Sequence, residues 1–158
     1  MFDLYWTDSF RKNLSDKLEK YINNDSNLKN QGFKFFVTEE NGEVVGVAGI
    51  RKLPEHMKKH STTNNPAEFY VLAVKNQGQG IGSSLTLQRM EEAKKDGYTE
   101  VVLFSGEKHQ SSWKFHDKYF DRIGFTEAPN GESGYVWRKL IQFLPSVKKV
   151  PTSRHAAS

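Results

Sequence analysis

Apolar positions recur along this chain with several different spacings, and each spacing predicts a different element. Phe10, Leu14, Leu18, Tyr21 and Ile22 fall on one helical face behind Ser9, a capping residue, so an amphipathic helix is expected that ends near Asn23-Asn24-Asp25. Phe33 to Thr38 and Glu43 to Ile50 are two β-rich runs on either side of Asn41-Gly42. An Asn-Gly pair between such runs signals a hairpin, so residues 33 to 51 predict antiparallel strands. Residues 53 to 67 carry two prolines, two histidines and a Ser-Thr-Thr-Asn-Asn stretch with no sustained period, which reads as a long loop. Phe69 to Val74 is continuously apolar, the pattern of a strand covered on both faces.

Gly78, Gly80 and Gly82 follow at once, and a helix is expected from Ile81 to Asp96, carried by Ile81, Leu85, Met90 and Ala93, with Gly97 placed to end it. Val101 to Phe104 predicts a second buried strand, Ser112 to Arg122 a helix with Gly124-Phe125 as its exit, and Gly134 to Ile141 a last strand. From about Pro145 the chain reads as a loose tail. Strand, glycine turn, helix and strand form one βαβ unit behind an antiparallel hairpin. The fold class expected is therefore a single mixed α/β domain over residues 1–144, with a mixed central sheet and helices on both faces, followed by a flexible tail at 145–158.

Composition narrows the chemistry more than the fold. The chain has 158 residues, 36% hydrophobic and 27% charged, which suits one globular core. No apolar run approaches the roughly 20 residues that would span a bilayer. The start Met1-Phe2-Asp3-Leu4-Tyr5-Trp6 lacks the basic and long apolar regions of an export signal, so a cytoplasmic location is expected, and Asn13-Leu14-Ser15 is expected to stay unglycosylated. With no cysteine, disulfides, thiolate metal sites and a thiol nucleophile are all excluded. The formal charge of +4 suits a small polyanionic ligand, whereas no arginine-rich stripe or interleaving of aromatic and basic residues marks a nucleic-acid surface. His56 and His60 share the i,i+4 spacing of a zinc pair, but no third ligand is spaced near them and no metal is expected. A monomer or a homodimer is compatible with all of this.

Three alternate glycines between a buried strand and a helix let backbone N–H groups turn toward one point at the positive end of the helix, where an anion would sit. The same turn also serves as a tight strand-to-helix connection with no ligand. A P-loop needs Lys-Ser/Thr directly after its glycines, where Ile81-Gly82-Ser83 stands instead. A dinucleotide fingerprint fits Gly78 and Gly80 but would put its third glycine on Ser83, with Glu100 as the acidic residue further on. A third pattern, Gln/Arg-x-x-Gly-x-Gly/Ala, is met at every position by Gln77-Gly78-Gln79-Gly80-Ile81-Gly82.

This last segment resembles the pyrophosphate-binding motif of the GNAT superfamily of N-acetyltransferases. The resemblance runs over roughly residues 33 to 141: Ala67 to Val74 looks like the family's fourth strand, Ile81 to Gly97 its third helix, Val101 to Ser105 its fifth strand, Ile123-Gly124-Phe125 the Gly-Phe that closes the next helix, and Tyr135 to Leu140 its last strand. It implies an acetyl-CoA-dependent N-acetyltransferase that moves acetyl directly from thioester to a primary amine in a ternary complex. The acceptor amine carries no readable code in the sequence. The resemblance further implies that the coenzyme's diphosphate rests on Gln77, Gly78, Gln79, Gly80, Ile81, Gly82 and Ser83. Its pantetheine arm then hydrogen-bonds along Leu72, Ala73 and Val74, with a backbone N–H near Leu72 facing the thioester oxygen.

Glu68 is the base that the resemblance implies, about 13 Å along a strand from Leu72 and therefore acting through water; a strand-end carboxylate paired with lysine or arginine is the plainer alternative. The family's acid is a Tyr four residues before the Gly of Gly-Phe, and here that count lands on Phe120, so Tyr119, one position earlier, is the candidate acid. With Tyr119 in that role, Ser112 takes the place of a coenzyme-binding Asn. The missing Tyr also supports an alternative, a catalytically silent acyl-CoA-binding module on the same fold. The connection between Val74 and Gln77 is about two residues shorter than in the common family loop.

Overall fold

The computed structural model describes residues 32–75, 78, 80–144 and 154–157. The expected helix behind Ser9 and the residues Gln77 and Gln79 lie outside them. β1 (Lys34–Glu40) and β2 (Glu43–Lys52) pair antiparallel around Asn41 and Gly42. Both turn residues take positive φ, 53° and 78°, the pair of left-handed conformations that a tight type I′ hairpin requires and that Asn-Gly adopts readily.

β3 (Pro66–Val74) returns beside β2, and α1 (Ile81–Lys95) crosses to β4 (Glu100–Gly106), which runs parallel to β3. α1 ends as its glycine predicts. Gly97 takes φ 80°, its N–H donates to the Lys94 carbonyl and the Tyr98 N–H reaches back to Ala93, so two otherwise orphaned carbonyls of the last turn are satisfied.

α2 (Trp113–Asp117), β5 (Asp121–Glu127) and β6 (Ser133–Leu140) complete this part, and with β7 (Arg154–Ala157) the full sheet order is β5-β6-β4-β3-β2-β1-β7. The helix expected from Ser112 to Arg122 is corrected here. A 3₁₀ segment over Glu107–Ser112 precedes only five α-helical residues, and Arg122, Gly124 and Phe125 belong to β5. The cause is long-range. Arg122 pairs with Asp117 and its guanidinium lies 4.6 Å from the Tyr135 ring centroid and 5.2 Å from that of Trp137, interactions that hold residue 122 against β6 rather than in a helix.

The tail differs over four residues: β7 (Arg154–Ala157) adds antiparallel to β1, from Lys34↔Ala157 to Val37↔Arg154. An edge strand offers a row of unpaired N–H and C=O groups, and the backbone of the tail takes them up.

One face of the sheet packs under α1 and α2 around Phe69, Leu85, Met90, Val101, Leu103 and Trp137. On the other face Leu53 and Met57 cover Val102 and Val136. Met57 comes from a 3₁₀ turn, Glu55–His60, inside the long loop after β2. That loop is fixed by the fully buried Glu100, whose carboxylate accepts from Thr62 N–H and Thr62 Oγ1, both at 2.7 Å, and from Thr63 N–H at 3.3 Å. A buried charge needs this number of donors to be tolerated.

Candidate functional site

The parallel pair β3–β4 is short. It consists of Pro66↔Glu100, Ala67↔Val101 and Glu68↔Val102, after which β4 pairs with β6 alone and β3 with β2 alone. From Phe69 onward the two strands part, and the edge of β3 over Leu72, Ala73 and Val74 faces an open wedge rather than a neighbouring strand.

A bulge accompanies this parting. Gly49 faces Tyr70 and Ala48 faces Leu72, so Val71 is the extra residue, and it takes φ 69°. A β-branched residue in the left-handed region costs about 1–2 kcal/mol, so the surroundings must enforce it. Arg89, in the middle of α1, does so: its Nη1 donates to the Val71 carbonyl at 3.1 Å and to the Gly49 carbonyl at 3.0 Å. Arg89 is 2% exposed, its guanidinium carbon lies 4.4 Å from the Phe69 ring centroid, and its Nε has no partner. Among the described residues no carboxylate pairs with it. Burial pulls its pKa down to about 9, which leaves it a cation at neutral pH.

The wedge opens toward the glycine turn. Gly78 and Gly80 have φ of 84° and 77°, and a Cβ at either would meet nothing within 4 Å. Gly80 is the N-cap of α1 and supplies no side-chain cap, so the N–H groups of Ile81, Gly82 and Ser83 have no helical acceptor and the first turn carries no acidic residue. This geometry fits a diphosphate: free donors, a positive helix end and unobstructed space. Gly82 plays a different part. A Cβ there would make ordinary contacts, 3.6 Å from Phe115 Cζ and 3.7 Å from Val74 Cγ2, so α2 and β3 pack beside α1 at this position without requiring a glycine.

Glu68 stands on the last paired rung, at the closed end of the wedge, and is 5% exposed. Its carboxylate accepts from Arg51 Nε, and Arg51 in turn lies over the Tyr70 ring at 4.0 Å. Burial pushes the Glu68 pKa up, and the Arg51 charge and hydrogen bond pull against that rise. The Tyr119 hydroxyl donates to Ser83 Oγ at the N-terminal turn of α1, and Ser112 is half-buried at the start of α2. Phe120 is buried and meets Phe69 edge-on, with ring centroids 5.6 Å apart. His116 is buried between Phe115 and Trp137; burial, and next the Arg89 charge, lower its pKa to about 4.

The structure therefore joins Tyr119 to Ser83 at the first turn of α1, and places Glu68 on the last parallel rung and Ser112 at the N-cap of α2. His56 and His60 lie apart, on the 3₁₀ turn of the long loop, and no cluster of three metal-ligating side chains exists among the described residues. Arg51 and Arg89 escape a reading of the sequence. A signal for Arg89 exists in hindsight: Ile81, Leu85, Arg89 and Ala93 follow one another at i,i+4, which puts a cation in the apolar stripe.

Comparison with known proteins agrees with this geometry. A family model described as the acetyltransferase (GNAT) family matches residues 1–121. The chain is 35% identical over 83 residues to N-acetyltransferase 8 of Rattus norvegicus, a match covering 51% of this chain and 36% of that protein. It thus spans well under half the length of that relative. Among solved structures, an N-acetyltransferase from Staphylococcus aureus Mu50 matches with a TM-score of 0.60 at 18% identity, over 86% of this chain and 95% of that one. An N-acetyltransferase from Thermoplasma acidophilum in complex with coenzyme A matches with a TM-score of 0.55 at 17% identity, over 87% and 80% of the two chains. With the family model covering most of its length, and a fold shared with solved N-acetyltransferases, the chain belongs to the GNAT family of acetyltransferases.

Proposed function

We propose that this chain is an N-acetyltransferase that takes acetyl-CoA as co-substrate and acetylates a primary amine directly. The observation that carries the reading is the three-rung parallel pair, which leaves the β3 edge unpaired beside an α-helix start with free N–H groups. The N–H groups at 78 and 80–83, with Gln77 and Gln79, would hold the diphosphate. Leu72, Ala73 and Val74 offer backbone partners to the amide-bearing pantetheine arm. A ligand entering from the turn along β3 has its reactive end at the apex, beside the Val71 bulge.

There the acetyl thioester supplies an activated acyl carbon. The neutral amine attacks that carbon, a C–N bond forms and the C–S bond breaks, with the electron pair leaving on sulfur. A backbone N–H near Leu72 meets the developing charge on the carbonyl oxygen. Glu68, its proton affinity raised by burial, receives the ammonium proton through water. Tyr119 and Ser112 are assigned to coenzyme binding, on the strength of the Tyr119–Ser83 hydrogen bond. The name of the rat relative, an N-acetyltransferase, supports acetyl transfer to nitrogen.

A second reading, a silent acyl-CoA-binding module, is favoured by the buried Phe120 at the position where the family resemblance puts a phenol. Calorimetric titration with CoA, followed by thiol release from acetyl-CoA across an amine panel, tests both readings. Binding with turnover supports the enzyme, and binding without turnover on any amine supports the module. No heat with CoA, together with a Gly80→Glu variant that behaves as the parent does, overturns both.

A further inference from the structure

Arg89 is a buried cation to which no described residue supplies a counter-charge. Its partners are two backbone carbonyls and the face of Phe69, and its Nε donates to nothing. Removing a guanidinium from water without a carboxylate is among the costlier things a core can do, and a neutral side chain of similar length would fill the same space. Holding the bulge explains the two hydrogen bonds, but a glutamine amide could make them. What only the cation adds is positive potential, and it adds this at one place.

That place is the apex of the wedge. Val71 is the residue at which β3 leaves its regular ladder, three positions beyond the point where pairing with β4 stops at Glu68↔Val102. The Arg89 charge also reaches His116, which is held neutral first by burial and then by that charge. Phe69 under the guanidinium and Phe120 edge-on to Phe69 are both buried, so this side of the charge is apolar. A fixed charge in an apolar, water-poor setting acts over a longer distance than the same charge in solvent.

We propose that Arg89 is a positioning residue for acyl transfer: its guanidinium holds the Val71 bulge and supplies, at the apex, the positive charge against which the coenzyme sulfur becomes negative. This rests on the acetyl-CoA reading above. No bond to Arg89 is made. As the C–S bond breaks, the electron pair goes to sulfur, and Arg89 lowers the energy of that thiolate before a proton reaches it from solvent. A phenol at position 120 is then unnecessary.

The thiol of bound CoA reports this field without any acceptor amine. Its ionisation is followed by the ultraviolet absorbance of the thiolate in complexes with the parent, Arg89→Gln and Arg89→Lys, alongside calorimetric affinities and thermal melts. The expected result is a thiol that ionises more readily in the parent complex than in free CoA. At neutral pH its thiolate fraction should be about tenfold above that in the Arg89→Gln complex, equivalent to about one pH unit, with Arg89→Lys close to the parent. CoA affinity should change less than threefold in either variant.

A merely structural Arg89 would lower the melting temperature and leave the thiol titration unmoved, and that result overturns the proposal. Should Arg89→Gln not fold, Arg89→Lys decides against the parent: loss of the shift in a variant that keeps the charge also overturns it. A parent that binds no CoA overturns the acetyl-CoA reading itself, a failure visible before any variant is made.

Discussion

The Tyr119 hydroxyl donates to Ser83 Oγ at 2.9 Å, which fastens the segment after α2 to the first turn of α1. The phenol thereby lies at the helix start whose N–H groups would receive a diphosphate in the proposed binding mode. A neutral hydrogen bond is worth about 1 kcal/mol, or roughly fivefold in binding. Tyr119→Phe is therefore expected to raise KM for acetyl-CoA about fivefold and to leave kcat within about twofold. Steady-state kinetics with the best amine of the panel separate this from a proton-donor role, in which kcat would fall and KM would not.

Glu68 and Arg51 make a second measurable pair. Burial raises the Glu68 pKa and Arg51 opposes the rise, so Arg51→Met should leave burial unopposed and carry the pKa higher still. The acidic limb of the kcat/KM profile should then move to higher pH, while Glu68→Gln should remove that limb and most of the activity. The sign for stability follows from the direction of the shift. The folded state of Arg51→Met holds the Glu68 proton more tightly than the unfolded chain does, so its stability should fall as pH rises from the carboxylate range toward neutrality. Urea denaturation at acidic and neutral pH measures this.

His116 should make the fold sensitive to acid. Its folded pKa is about 4 against an ordinary value of 6.5, so between those values the unfolded chain binds more protons and stability drops as the pH falls. The loss by pH 4 is about 3 kcal/mol. His116→Phe, which keeps an aromatic ring against Trp137, should flatten the profile of melting temperature against pH over this window.

At Gly46 β2 comes close to the start of α1. A Cβ at this position would lie 2.6 Å from Ile81 Cγ2 and 3.0 Å from Leu85 Cδ1. Gly46→Ala should push the first turn of α1 outward, destabilise the protein by about 1–3 kcal/mol and weaken CoA binding, because the displaced turn carries the anion-binding N–H groups. Thermal melts and calorimetry on the same samples check that both effects appear together.

Local chemistry made the hairpin, the glycine turn and both ends of α1 legible in the sequence. Asn41-Gly42 and Gly97 each do something that few other residues do readily, and their effects reach only their neighbours. The extent of α2 was not legible in this way. Trp113, Phe115, Phe120 and Ile123 allow a longer helix, and what ends it is the pairing of β5 with β6 and the packing of Arg122 over Trp113, Tyr135 and Trp137. The bulge was equally hidden: Phe69 to Val74 is uniformly apolar, no glycine marks Val71, and the arginine that holds it comes from a different element. The candidate site was legible where it is main chain and a short motif. It was silent where a charge is buried across elements, as with Arg51–Glu68 and Arg89.

The anchoring of Thr62 and Thr63 on Glu100 has a bearing on engineering. Exchanging the whole segment between β2 and β3 for a foreign sequence would strip an interior carboxylate of its threonine donors and leave it only the Arg138 Nε at 3.9 Å, a defect of about 1–3 kcal/mol for a buried acceptor without its hydrogen bonds. Grafts that retain this threonine pair and vary only the solvent-facing side chains of Glu55–His60 avoid that loss, so the wall over Val102 can be recoloured but not rehung.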